Sequence, residues 1–320
     1  DYERIVNEKD QRLIFFGVHA GYAGMIETLH AYARKMKRRG LASPLDQIKQ
    51  AYEYESLDVA KENIKKVGQD ISTHGLPADL DPLIIAFTGY GNVSQGAQEI
   101  IDLLPVKTLT PRQLLQSPEK WSSDNHQIYK VVFKEADMVK PVSGSFELQD
   151  YYDHPEKYVS VMDNYLSRIN LLVNCIYWTD KYPRVVTKDY LIETMNKNRR
   201  LDLSVIGDIS CDIEGAIEIT KTATMPDAPC FTYYPEADRF EDDITGEGIT
   251  VMAVDNLPCE FPKESSLFFS NVLKEYVAQI ASADFNVNFT ALDLPYPIKK
   301  ALILHNGQLT DEYKYMQKFL

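Results

Sequence analysis

A chain of 320 residues with 44% hydrophobic and 25% charged residues can bury one large core or two smaller ones, and its balance is that of a globular protein, not a disordered or fibrous one. The net charge of −13 repels phosphate backbones, and the single basic run, Arg34-Lys35-Met36-Lys37-Arg38-Arg39, ends at Gly40, where a helix C-terminus favours cations; nucleic acid is excluded as a partner. The four cysteines, Cys175, Cys211, Cys230 and Cys259, form no C-x-x-C pair, the histidines show no metal-ligand spacing, and no apolar run reaches the length of a membrane span.

These features predict a soluble intracellular protein of a reducing compartment, with mitochondrial matrix and cytoplasm both open. Asp1 stands where a methionine or signal peptide would, so residues are expected ahead of it.

In chain order, Leu13 to Phe16 reads as a short strand that passes through small residues (Gly17, Ala20, Gly21, Ala23, Gly24) into a helix ending near Gly40. Ser56 caps a second helix, with Leu57, Ala60, Ile64 and Val67 at helical spacing until Gly68. The stretch "IIAFTGYGNVSQGAQEIIDLLP" then gives a buried strand, a glycine turn and a helix over 94–104. Strand Val106–Leu109, a short helix after Pro111, a strand in "IYKVVF", a helix in "VSVMDNYLSRIN", strand "LLVNCIYW", helix "KDYLIETM" and strand "LSVIGDIS" follow. This alternation predicts an α/β fold, a Rossmann-type doubly wound parallel sheet. After Gly215 come shorter strands, "AIEIT", "CFTYY" and "GITVMAV", and then a helix in the second half of "DNLPCEFPKESSLFFSNVLKEYVAQI".

The glycine turn is the first chemical signal. A strand, a tight turn and a helix N-terminus aim backbone N–H groups and the helix dipole at a pyrophosphate. Gly89 and Gly91 fit that role, Ser94 replaces the third glycine, and Gly96 with Ala97 offers a tight helix-on-strand contact one turn later. Without more, the stretch is either a dinucleotide site or a structural turn. At the end of the next strand no carboxylate is present for a ribose 2′-hydroxyl. Lys107, Thr108, Thr110 and Arg112 stand there, a set suited to a 2′-phosphate, which predicts NADP(H) over NAD(H). "NCIYW" and "GDISCDIEGAIE" lie at strand C-terminal ends, where ligands bind in open α/β sheets, and place Asp208 and Asp212 near a crevice.

Longer motifs carry a resemblance. "QRLIFFGVHAGYAGMIETLH", "FTGYGNVSQGAQ", "YYDHPEKY", "VNCIYW", "GDISCDIEGAIEI", "VMAVDNLPCEFPKESSLFFSNVL" and "NGQLTDEYKYMQ" together resemble the lysine–2-oxoglutarate reductase domain of bifunctional aminoadipate semialdehyde synthases, within the alanine dehydrogenase/transhydrogenase-like superfamily. The resemblance runs the length of the chain. It implies reductive condensation of L-lysine and 2-oxoglutarate to saccharopine with NADPH, a covalently linked saccharopine dehydrogenase domain, and a homo-oligomer. In this resemblance Gly89, Gly91, Asn92, Val93 and Ser94 form the pyrophosphate turn, and Ser210, Cys211 and Asp212 run along the nicotinamide ribose. Arg12 and Phe16 bind substrate carboxylate, and Asn174, Cys175, Ile176 and Tyr177 form the loop where cofactor and substrate meet.

The same resemblance implies a division into 1–40, a remnant of the substrate domain with a bridging helix, 41–261, the dinucleotide-binding domain, and 262–320, a second bridging helix and a return to the substrate domain. Family members carry ahead of "DYE" a half-domain with a catalytic lysine before Arg-Pro and a histidine in a Ser-His-Thr setting. Neither motif occurs in this sequence, and Gln11 stands where relatives have a second arginine. No catalytic acid/base residue is therefore assigned here. The chain alone is expected to bind NADPH without turnover, and the competing reading is a non-catalytic nucleotide-binding or regulatory relative.

Overall fold

The computed structural model describes residues 1–121, 124–197, 199 and 201–319. It forms two compact units: Asp1–Phe16 together with the chain from Pro262 onward, and Gly17–Phe261. The division falls after Phe16 and not after Gly40. The physical reason is helix α1 (Gly17–Arg38), which buries Ala23, Met25, Ile26, Leu29, Tyr32 and Met36 in the larger unit and so belongs to it entirely.

The larger unit is a sheet covered on both faces. Its strands in chain order are β1 (Ile84–Thr88), β2 (Val106–Leu109), β3 (Ile128–Phe133), β4 (Val139–Pro141), β5 (Tyr158–Ser160), β6 (Leu171–Asn174), β7 (Val205–Asp208), β8 (Cys230–Tyr234), β9 (Arg239–Asp242) and β10 (Ile249–Met252). Strands β4 and β5 pair as a separate antiparallel ribbon. The other eight run in the order β2-β3-β1-β6-β7-β10-β8-β9, parallel from β2 to β10 and antiparallel at the far edge.

Side chains alternate across this sheet as strand geometry demands. Ile85 and Phe87 join the core under α1, α2 (Leu57–His74) and α3 (Asn92–Ile101), while Ile84 and Ala86 join the core on the opposite face. Ser56 caps α2 by accepting from the Val59 N–H at 3.3 Å. The helix continues past Gly68 to His74; Gly68 is there for packing, since a Cβ added to it would come within 2.7 Å of the Leu103 carbonyl oxygen.

Three local expectations change. Leu13–Phe16 is not a strand: only an isolated bridge joins Val6 to Arg12, while Ile14 packs with Ile5 and Ala301. "AIEIT" forms one bridge, Val186 to Ile217, and "VSVMDNYLSRIN" holds the end of β5 and a single helical turn, Asp163–Leu166.

In the smaller unit, the helix Pro262–Ser282 sends Phe268 and Phe269 against Phe16, with Tyr2 beside them. A two-strand hairpin, β11 (Leu304–His305) and β12 (Gln308–Leu309), turns through Asn306 and Gly307 at φ 50° and 78°, the left-handed pair that tight hairpins require.

Candidate functional site

Strand order fixes where a ligand can lie. The order of strand addition reverses between the parallel β1 and β6, since the sheet strands that follow β1 lie on one side of it and those from β6 on the other, and such switch points open a crevice at the strand C-termini. In register, Thr88 stands between Phe133 and Asn174, and Asn174 beside Asp208.

A buried hydrogen-bond chain ties this row together. Thr88 Oγ1 donates to Asn174 Oδ1 at 2.8 Å and accepts from the Cys175 N–H at 3.2 Å. Asn174 Nδ2 donates to Asp208 Oδ1 at 2.9 Å. Asp208 also accepts from the Cys211 N–H at 3.2 Å and from Thr220 Oγ1 at 2.5 Å. Burial pushes the Asp208 carboxyl up to about 6, and the donors from Thr220, Asn174 and Cys211 hold it from going higher. The chain fixes the loops after β1, β6 and β7.

The turn itself is built as the sequence suggests. Gly89 sits at φ 79°, where an added Cβ would also come within 2.8 Å of Ile176 Cγ2. Gly91 caps α3 without any side-chain bond, no acidic residue lies in the first turn, and nothing stands within 4 Å of an added Cβ. The first-turn N–H groups, from Asn92 and Val93 onward, therefore end in an open cradle with the positive end of the dipole uncompensated. Ser94 is fully buried and accepts from Gln98 Nε2 at 2.9 Å, so it belongs to the helix and not to the cradle. The tight contact expected from Gly96 is with another helix and not the strand: its missing Cβ admits the Val18 carbonyl of α1, and that of Gly21 admits the Val93 carbonyl.

Beside the turn lies a cavity of about 380 Å³ lined by Tyr90, Glu135, Tyr152, Ile176, Tyr177 and Trp178 among others. Of the substrate residues expected on this loop, Cys175, Ile176 and Tyr177 line it, Tyr177 being 86% exposed. Asn174 is not among the lining residues: it is buried with its amide engaged by Thr88 and Asp208, which ties the start of the loop to β1 and β7. Ser210 Oγ donates to the Ile176 carbonyl at 2.7 Å, joining the β6 and β7 loops. Cys211, at φ 55°, lies near the Ala253 carbonyl, 3.0 Å from its sulfur, and burial pushes its thiol up to about 12. Asp212 is half-buried on the same loop, its carboxyl raised by burial.

Two further expected groups belong to other elements. Arg12 and Phe16 belong to the smaller unit, where Arg12 pairs with Glu3 at 3.2 Å and Phe16 stacks on Phe269. Thr110 and Arg112 follow β2, which is the sheet edge and not the neighbour of β1. Thr110 caps the one-turn helix α4 (Pro111–Leu114) by accepting from the Gln113 N–H at 3.2 Å, and Lys107 donates to the Trp121 carbonyl at 2.7 Å. Glu135, Thr88 and Thr220 were missed. A signal for Glu135 existed: "IYKVVF" is more apolar than "VKTL", which marks β3 as the inner strand.

Similarity to known proteins agrees with this architecture. Residues 157–312 match the family model described as alanine dehydrogenase/PNT, C-terminal domain. The chain is 38% identical over 330 aligned residues to an α-aminoadipic semialdehyde synthase of Arabidopsis thaliana, covering 99% of this chain and 30% of that protein. It is 30% identical to the mitochondrial α-aminoadipic semialdehyde synthase of Mus musculus, covering 99% of this chain and 36% of the relative. It thus spans about a third of their length. Among solved structures, an L-alanine dehydrogenase superposes with a TM-score of 0.52 at 16% identity, covering 99% of this chain and 67% of the other, and shares its fold. The chain is thus similar to α-aminoadipic semialdehyde synthases over 99% of its length, and its residues 157–312 resemble the alanine dehydrogenase/PNT C-terminal domain.

Proposed function

We propose that this chain is the nicotinamide-dinucleotide-binding part of a lysine–2-oxoglutarate reductase, which condenses the ε-amine of L-lysine with the ketone of 2-oxoglutarate and reduces the resulting imine to saccharopine. The observation that carries this reading is the uncapped N-terminus of α3 behind Gly89 and Gly91 at the sheet's switch point, in a chain similar throughout to aminoadipic semialdehyde synthases. The bound nicotinamide would supply hydride. The chain's own part is to hold the pyrophosphate on the Gly89–Val93 backbone and to fix the β6 and β7 loops, through Thr88, Asn174 and Asp208, so that Cys175–Tyr177 and Ser210–Asp212 present a rigid wall.

Imine formation also needs a proton carrier near neutral pH, and the residues lining the cavity include neither lysine nor histidine. The cavity is thus the cofactor side of the reaction. The NADP(H) preference expected from Thr110 and Arg112 loses its footing, because those residues stand one strand away from the turn. In the full-length protein, lysine with 2-oxoglutarate should oxidise the reduced cofactor and pyruvate with ammonia should not. The opposite pattern would replace this reading with an alanine-type dehydrogenase.

A further inference from the structure

We infer that the coenzyme's ribose 2′ position is read by Glu135 and Lys134, at the end of β3, and not by the corner after β2. The inference rests on the dinucleotide reading of the turn. In a doubly wound sheet the adenosine ribose lies against the C-terminal end of the strand beside the one that carries the glycine turn. Here that strand is β3: Thr88 stands opposite Phe133, and the Gly89 N–H donates to the Phe133 carbonyl at 2.9 Å. Lys134 and Glu135 are the next two residues. β2 lies one strand spacing, about 5 Å, further out. It also ends early, with Leu109 opposite Val131, two residues short of Phe133.

Glu135 lines the cavity together with Gly89, Tyr90 and Gly91. Its carboxylate accepts from the Tyr152 hydroxyl at 2.8 Å and from Tyr90 at 3.5 Å. Both hydroxyls stay donors at neutral pH: burial and then Glu135 hold Tyr152 protonated, and Glu135 does the same for Tyr90. A carboxylate has roughly four lone-pair sites, so acceptor capacity remains for a ribose hydroxyl. The exposed Lys134 has its ammonium 5.7 Å from the centre of the Tyr90 ring. The pair therefore offers one acceptor suited to a 2′-hydroxyl and one cation suited to a 2′-phosphate. Selectivity is the balance of the two.

The test is titration of the 320-residue chain with NAD+ and NADP+ separately, by calorimetry or by tryptophan fluorescence, which reads binding without turnover. Glu135→Gln, which keeps the tyrosine contacts and removes the charge, should raise NADP+ affinity relative to NAD+ about tenfold, and Lys134→Ala should lower it about tenfold. Arg112→Ala and Thr110→Ala should leave the ratio within about twofold. Thermal midpoints confirm that each variant is folded. A ratio moved by Arg112→Ala but by neither Glu135→Gln nor Lys134→Ala overturns the inference and returns the selectivity to β2. If both nucleotides bind and no variant moves the ratio, this inference alone falls. A wild-type chain that binds neither nucleotide sinks the dinucleotide reading as well.

Discussion

Helix α3 separates two regions made from the same materials. On its flank toward α1, Gly21 and Gly96 meet opposing backbone, and further along α1 Glu27 is buried against Glu260. At its N-terminal end, Gly91 borders open space, Gly89 makes the left-handed turn against Ile176, and one acid, Asp208, is buried. The glycines of the flank are there because a Cβ would strike a carbonyl oxygen; Gly91 is there because a Cβ would intrude on whatever approaches the helix end. The acids differ in the same way. Asp208 is surrounded by three donors, whereas Glu260 has both oxygens buried beside another carboxyl. Residue type alone does not separate packing from binding; what each missing or charged atom faces does.

The strongest break in that contrast is a methyl group on each side. Gly96→Ala must push the Val18 backbone aside and should cost ~3 kcal/mol or more. Gly91→Ala, at φ −72° with nothing within 4 Å of the new Cβ, should change stability by less than about 0.5 kcal/mol while weakening dinucleotide binding. Urea midpoints and nucleotide titration on both variants decide it. Equal loss of stability at the two positions would erase the distinction.

These examples also mark how far the sequence can be read. The α/β class and the strand–turn–helix over 84–101 were legible, and so were the loops after β6 and β7 as loops at strand C-termini, because each is a local pattern of apolar runs and glycines. Strand order was not. Sequence order suggests β2 beside β1, and only the half-exposed "VKTL" against the buried "IYKVVF" hints that β3 takes that place. The misplacement of Thr110 and Arg112 follows directly from it. The burial of Asn174, which the resemblance places among the substrate residues, was not legible, since its partners Thr88 and Asp208 are 86 and 34 residues away in sequence. Gly96 was read as a strand contact because its partner, α1, is distant in the chain.

The next effect concerns protons on the flank. Glu27 accepts from the Ala51 N–H at 2.6 Å and from Gln50 at 3.3 Å, while burial and then Glu27 push Glu260 up to about 9 from an ordinary 4.5. A folded value above the unfolded one means that the stabilising contribution is whole below pH about 4.5 and is lost as pH rises toward 9. Urea midpoints should therefore fall from pH 5 to pH 9, and Glu260→Gln should flatten the fall. Parallel slopes for wild type and variant would show that the pair does not titrate in this range.

At the open edge, Asp208→Asn keeps the size but turns an amide N–H either toward two donors, the Asn174 amide and the Cys211 N–H, or toward the Thr220 hydroxyl, which must then give up its own donation. A cost of about 1–2 kcal/mol is expected, together with weaker dinucleotide binding as the β6 and β7 loops lose their common anchor. Thr88→Val removes the other end of the chain and should reproduce both effects without changing charge. The pH profile separates them. Asp208 is raised from 3.8 to about 6, so wild type and Thr88→Val lose stability as pH rises through that interval and Asp208→Asn does not.

The smallest expected change in stability is at Asp212. It follows Cys211 on the β7 loop, half-buried, and its backbone carbonyl accepts from the Gly215 N–H at 2.9 Å. That bond closes the turn through the main chain, so removing the side chain leaves it intact. Burial raises the Asp212 carboxyl, which is the expected state of an acid at a crevice wall that a ligand hydroxyl would complete. Asp212→Ala should thus leave the thermal midpoint of the free protein nearly unchanged, within about 0.5 kcal/mol, and weaken NAD(P)+ binding about fivefold. Earlier unfolding with unchanged nucleotide affinity would instead place Asp212 with the packing residues of the flank.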